Sequence, residues 1–285
     1  MKINRIFPDK HKYLQITDCI AKKPKTLYYR GTLPETRLPS VAIVGTRKPS
    51  AYGKEIAHRL STELAKEGIV IISGLALGID GIAHRACLQT GGKTIAVLGN
   101  SVDHIYPRNH LGLAEQIIEQ GGAVLSEYEP PTEARNYHFL ERNRIVSGLA
   151  DIVVIVEAAA RSGTLNTASH AIEQGKHLFA VPGNITSPLS SGCNALIRQG
   201  AQPLLSPRDI LDILLPQKTA RQGALPLTSS PLEAKIITLI EQGIRDGDEI
   251  QQQLGVSAQE FSQTLTLMEI TGIIRGLGAN QWTLN

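Results

Sequence analysis

Short runs of consecutive apolar residues recur along the first two thirds of the chain, at 41–44, 69–72, 94–98, 123–125, 152–156 and 178–181. A strand with one face in water alternates apolar with polar positions, so these uninterrupted runs predict strands buried on both faces. Between them lie stretches with apolar residues at helical spacing, such as 53–67 and 111–120, which end near Gly68 and Gly121. Alternating strands and helices imply right-handed crossovers. The pattern therefore predicts an α/β fold, an extended Rossmann-like, doubly wound, mostly parallel sheet over residues 41–215.

The pattern changes near Pro216. A polar stretch with Pro and Gly reads as a linker over 216–230, and three helical segments follow at 232–242, 248–254 and 257–271. The last opens on a Ser-x-x-Glu capping box, Ser257 and Glu260. Residues 272–284 read as a β-hairpin with a Gly/Asn turn, so 231–285 is expected to form a small winged-helix domain. Residues 1–40 are expected to be a short basic lead-in.

Charge sharpens this picture. Residues 1–40 hold nine Lys/Arg and three Asp/Glu, a balance of +6, whereas 225–285 hold three and seven, a balance of −4. A polyanion site is thus not expected on the C-terminal domain. The basic N-terminus reads equally as a contact surface or a solvated leader. Cys19, Cys87 and Cys193 form no CxxC pair or zinc spacing, which predicts packing thiols in a reducing, cytoplasmic compartment and no metal. No run of about 18 uncharged apolar residues occurs, so no membrane span is expected, and the opening residues do not read as a signal peptide.

The candidate chemistry lies in loops at strand ends. Ser73-Gly-Leu-Ala-Leu-Gly-Ile-Asp80 joins a strand to a helix, and Ser73, Gly74 and Gly78 there either present backbone amides to an anion or serve close packing. No GxGxxG or GxxxxGK[ST] pattern is present, which removes the usual basis for a dinucleotide or ATP cofactor, and no cofactor is expected. A second turn, Ser162-Gly163-Thr164, follows the 152–156 strand and belongs to the same edge of the sheet. Arg47 and Lys48 follow the first strand, Arg108 lies in Tyr106-Pro-Arg-Asn109, and Phe139, Arg142, Asn143 and Arg144 share one segment. Several such elements on one edge suggest a polyanion. Aromatic residues make up 4% of the chain, yet Tyr52, Tyr106, Tyr137 and Phe139 adjoin these loops, where they either stack bases or pack the loops.

Together the motifs resemble the DNA processing protein A (DprA/Smf) family. The resemblance rests on Val41-Ala-Ile-Val-Gly-Thr-Arg47, Tyr52-Gly53, Ser73-Gly-x-Ala-x-Gly-Ile-Asp80, Ala83-His84, Ala96-Val-Leu-Gly99, Tyr106-Pro107, Phe139 with Arg142-Asn-Arg144, Ser162-Gly-Thr-Leu-x-Thr-Ala168, Glu173-Gln-Gly175 and Ala180-Val-Pro-Gly-Asn184. It implies a homodimeric, non-enzymatic protein that binds single-stranded DNA without sequence preference. The family role is to load RecA recombinase during natural transformation and help remove single-strand-binding protein. It implies Arg47 as the leading DNA contact, supported by Gly74, Arg142, Arg144 and the 162–164 turn. Asp80 is assigned to capping its helix or orienting an arginine, and His84 to packing.

The resemblance implies an N-terminal helical domain in many members, and with few residues ahead of Val41 none is expected here. Phe139-Leu140 stands where Phe-Pro is common. Two other functions remain as alternatives. A nucleoside-monophosphate phosphoribohydrolase would use a related Gly-Thr loop but needs a glutamate where Thr167 stands. A winged-helix transcription regulator would need a basic C-terminal domain, and this one is acidic.

Overall fold

The computed structural model describes residues 2–216, 230–278 and 280–284, so most of the expected linker lies outside the described residues. The chain forms two compact units, Met1–Leu214 and Leu215–Asn285.

The first unit is built on a nine-stranded sheet in the order β1-β2-β6-β5-β4-β3-β7-β8-β9. Its strands are β1 (Asn4–Ile6), β2 (Leu27–Gly31), β3 (Ser40–Val44), β4 (Val70–Ser73), β5 (Thr94–Val97), β6 (Ala123–Ser126), β7 (Ile152–Ile155), β8 (His177–Ala180) and β9 (Gln202–Pro203). Strands β3 to β9 run parallel, and β1 and β2 are antiparallel additions at one edge. Residues 1–40 are therefore no lead-in. They supply two strands of the sheet and bury Tyr13, Leu14, Ile20 and Leu27 in its core.

The helices are α1 (Ala51–Lys66), α2 (Ile79–Gln89), α3 (Leu111–Glu119), α4 (Asn136–Leu149), α5 (Thr164–Glu173), α6 (Ser191–Arg198) and α7 (Arg208–Leu214). Two cores lie on opposite sides of the pleat. Ile95 and Val97 join Ile145, Val146, Ala168 and Ala171 of α4 and α5, while Ala96 and Val124 join Leu88, Leu113 and Ile117 of α2 and α3. Helices on both faces leave β3, β4 and β7 wholly buried, which is why their sequences run apolar without alternation.

One buried polar contact ties α2 to the sheet. His84 Nδ1 lies 2.7 Å from the Thr94 hydroxyl, which itself donates to the Ile71 carbonyl. His84 is therefore the donor in its own bond. Burial holds its pKa down at about 3, with the charges of His110, Arg85 and Arg142 acting in the same direction. A folded-state pKa below the unfolded value means the unfolded chain takes up the extra proton. Stability from this group is complete above about pH 6.5 and drains away as pH falls towards 3, at roughly 1.4 kcal/mol per pH unit. Melting temperatures measured between pH 7 and pH 4 are expected to fall more steeply for the native protein than for His84→Gln; parallel curves would refute this.

The second unit comprises α8 (Pro231–Glu241), α9 (Gly247–Leu254), α10 (Ala258–Ile270) and the hairpin β10 (Ile274–Gly278) and β11 (Gln281–Leu284). The capping hydroxyl of Ser257 accepts the Glu260 N–H at 3.2 Å. Ile236, Ile237, Ile240, Ile250, Phe261, Leu265, Met268 and Ile274 form its core, and three helices with a two-stranded wing make a winged helix. Among the described residues, no helix is long and apolar enough to cross a membrane.

Candidate nucleic-acid interface

The chain leaves β3 for α1 on one face of the sheet and leaves β7 for α5 on the other. Neighbouring strands whose connections diverge open a crevice at their carboxyl ends, the usual ligand position in doubly wound sheets. A cavity of about 400 Å³ occupies that place, lined by Val44–Arg47 behind β3, Gly74, Ala76 and Asp80 behind β4, Ala159 and Arg161–Thr164 behind β7, and residues of α4 and α5. A smaller hollow beside it is lined by Arg47, Leu77, Tyr106, Pro107 and Phe139.

Each cavity-lining loop is fixed from below. The Thr46 N–H donates to the Glu157 carbonyl at 2.8 Å and the Thr164 hydroxyl to the Gly45 carbonyl at 3.1 Å. The carboxylate of Glu157, 2% exposed, accepts the N–H and hydroxyl of Ser50. Gly53 packs directly on that carboxylate, which accounts for the glycine of the Tyr52-Gly53 pair. Clamped in this way, Arg47 stands exposed with its guanidinium 5.7 Å from the Phe139 ring. Phe139 seats against Gly99 and lies 5.4 Å from Tyr106. A cation and two aromatic rings thus share the rim.

The 73–80 turn does not do what its glycines suggest. The Gly74 N–H donates to Asp80 at 3.0 Å, and Ala76 N–H lies 3.4 Å from the same carboxylate oxygen. That amide is consumed by the protein's own anion. A Cβ on Gly74 would lie 2.5–2.7 Å from the Arg142 guanidinium, so the glycine serves packing. Gly78 has φ 82°, and a Cβ there would lie 2.7 Å from the Arg47 carbonyl group, so it admits the neighbouring loop. Ser73 is buried and donates to the Ile43 carbonyl. Leu75 holds a left-handed φ of 57° with its carbonyl 2.9 Å from His110 Nδ1.

Arg142 is a post rather than a rim residue. It is 5% exposed and donates through Nη1 to the carbonyls of Gly74, at 2.7 Å, and Val97. Burial lowers its pKa to about 10, Asp80 opposing that shift and Arg47 adding to it. Burial likewise pushes the Asp80 carboxyl up, against the pull of Arg142 and the two amides. Asp80 thus caps the turn and supplies a countercharge to the buried arginine at once.

Arg144 does not join the crevice. It is 7% exposed, forks onto Glu127 at 2.7 Å, and donates to the carbonyls of Lys22 and Glu141. With every donor group engaged inside the protein, it corrects the expectation of a DNA contact. Asn143 ties α4 to the second turn through Asn166 at 3.2 Å and the Gly163 carbonyl at 3.4 Å. In that turn Thr164 N–H donates to the Ser162 hydroxyl, and Leu165 and Asn166 donate to the Ser162 and Gly163 carbonyls. The first-turn amides are largely closed on the loop, though the positive end of α5 still faces the cavity. Lys48 and Arg108 are exposed but lie outside the cavity lining. Arg161 is exposed and lines it, a cation that heads the second turn in sequence but was not among the expected DNA contacts.

The fold is an extended Rossmann-like domain with an arginine- and aromatic-flanked crevice at its switch point, followed in sequence by a winged helix. The chain belongs to the DNA recombination-mediator protein A family, whose profile matches residues 4–215, and the DprA winged helix domain profile matches 219–280. Protein Smf of Escherichia coli is 47% identical over 191 residues, 67% of this chain and 51% of the relative. The DNA processing protein DprA of Bacillus subtilis is 42% identical over 192 residues, 67% of this chain and 64% of the relative. The chain thus spans about half to two thirds of the length of these relatives. DNA processing protein A of Streptococcus pneumoniae superposes with a TM-score of 0.70 at 40% identity, covering 75% of each chain. That of Helicobacter pylori, solved for its single-stranded DNA binding mode, gives 0.67 at 35% identity over 76% of this chain and 97% of its own.

Proposed function

We propose that this protein binds single-stranded DNA without sequence preference in the crevice at the carboxyl ends of β3, β4 and β7, as part of DNA processing in recombination. The observation that carries this reading is the shared rim: Arg47 and Arg161 supply exposed charge, and Phe139 and Tyr106 supply stacking surface beside it. Charge that follows a backbone and rings that accept any base are the two requirements of sequence-tolerant single-strand binding. Binding is favoured over bond breaking because the carboxylate lining the cavity, Asp80, is committed to two backbone amides and to Arg142. Thr167, 2% exposed, stands where a phosphoribohydrolase would need its glutamate.

The family relation carries the finer steps: RecA loading onto the bound strand, indirect dealings with single-strand-binding protein, and a homodimer formed through the Rossmann-like domain. A cytoplasmic setting accords with three free cysteines, two of them buried. The winged helix fits a protein contact better than a duplex reader, since α10, which would enter the major groove, carries Glu260 and Glu269 and no Lys or Arg.

A ligand panel tests the reading. Oligo-dT, a mixed-sequence single strand, a duplex and nucleoside monophosphates are titrated against the full chain. Both single strands should bind with similar affinity and well ahead of duplex and mononucleotide. Preferred binding or turnover of a mononucleotide would overturn it.

A further inference from the structure

The charge of the N-terminal segment is not used by the crevice. Lys22, Lys23, Arg30 and Arg37 pair with Glu141, Asp18, Glu115 and Asp151. Arg5 and Lys10 instead stand 5.5 and 5.4 Å from the ring of Phe7, which is 42% exposed at the end of β1. An exposed ring flanked by two cations repeats the composition of the crevice rim. Residues 2–12 carry Lys2, Arg5, Lys10 and Lys12 against Asp9 alone, so the surroundings are basic as well.

Topology puts this cluster on the same edge as the crevice. Tyr28 of β2 lies opposite Ser126, the last residue of β6, and Ile6 of β1 lies opposite Leu27. The end of β1 therefore falls at the carboxyl edge of the parallel strands. From β4 the sheet order passes through β5, β6 and β2 to β1, four strand spacings or roughly 19 Å. Aromatic side chains mark the way: Phe139 and Tyr106 behind β5, then Tyr128 and Tyr137 on either side of His138 at 4.1 and 4.4 Å behind β6. This middle stretch also carries Glu129 and Glu133 against Arg135, so it offers rings rather than charge.

We propose that a single strand leaving the crevice runs along the carboxyl edge towards β1, and that Phe7, Arg5 and Lys10 form a second, outlying subsite where phosphate anchoring resumes. The proposal rests on the crevice being the primary strand site. The strand crosses the β6 stretch, where acidic residues outnumber Arg135, mainly on its bases and gains a paired cationic anchor at Arg5 and Lys10, so the gain appears only with oligonucleotides long enough to reach them.

The test is a length series of labelled oligo-dT, from about 4 to about 16 nucleotides, the range that single-strand-binding modules cover. It is titrated against the native protein, Phe7→Ala/Lys10→Gln, and Arg47→Ala. Native affinity should rise with length. Phe7→Ala/Lys10→Gln should match it on the shortest strand and bind the longest roughly tenfold more weakly, with an unchanged melting temperature because both residues are exposed. Phe7→Trp/Lys10→Arg should restore the length dependence. Arg47→Ala should weaken every length. If Phe7→Ala/Lys10→Gln follows the native curve throughout, the outlying subsite is wrong. If Arg47→Ala leaves all lengths unchanged while Phe7→Ala/Lys10→Gln weakens the longest, the crevice reading fails and the β1 cluster stands as a site of its own.

Discussion

Arg142→Ala is expected to lose about 3–5 kcal/mol of stability, the cost of removing one partner from a buried charge pair. The guanidinium satisfies the carbonyls of Gly74 and Val97 and faces Asp80, which is 5% exposed. Truncation leaves two carbonyls without a donor and one carboxylate without its countercharge. For a domain of this size the melting temperature should drop by roughly 6–20 °C. Arg142→Lys should recover only part of the loss, because an ammonium keeps the buried charge but not the rigid, planar guanidinium whose Nη1 donates to both carbonyls. Thermal denaturation decides the matter against the reading of Arg142 as a surface contact. A variant with native melting temperature and weakened DNA binding would place its guanidinium on the DNA instead.

Gly78→Ala is expected to weaken DNA binding by about tenfold, equivalent to roughly 1.4 kcal/mol, and to destabilise the fold by about 1–3 kcal/mol. The added methyl would meet backbone atoms of Thr46 and Arg47, which cannot rotate away as a side chain could. The Arg47 loop must therefore move. Gly68→Ala is the control, since Gly68 has φ 79° and an added methyl there would meet nothing within 4 Å. It should carry only the left-handed strain of about 1–2 kcal/mol and leave binding untouched. Equal binding losses in both variants would mean that backbone strain, not displacement of the Arg47 loop, is being measured.

The parallel sheet was legible because burial on both faces leaves no polar positions in β3, β4 and β7. β1 and β2 were not, since β1 is a three-residue edge strand and β2, Leu-Tyr-Tyr-Arg-Gly, mixes aromatic and charged residues. Their basic surroundings made a solvated leader an equally good reading. At the site, Arg47, Arg142 and Arg144 look alike in sequence. What separates them is what each meets: no ion pair among the described residues for Arg47, two carbonyls for Arg142, and for Arg144 a glutamate seventeen residues earlier. The sequence left the role of the Gly74 amide open for a related reason. Its acceptor, Asp80, stands six residues on in the same turn, and only the folded loop brings the carboxylate back onto the amide. Glu157 was invisible because its work is to hold Ser50 and Thr46 from beneath.

A salt series with a fluorescent oligo-dT measures most directly whether a cationic crevice holds the strand. Each phosphate neutralised on a single strand contributes about −0.7 to the slope of log affinity against log salt. The native protein should give a slope steeper than about −1.4, and combining Arg47→Ala with Arg161→Ala should make it shallower by roughly 1.4. A native affinity indifferent to salt, or a slope that survives the double substitution unchanged, would show that these arginines do not carry the DNA.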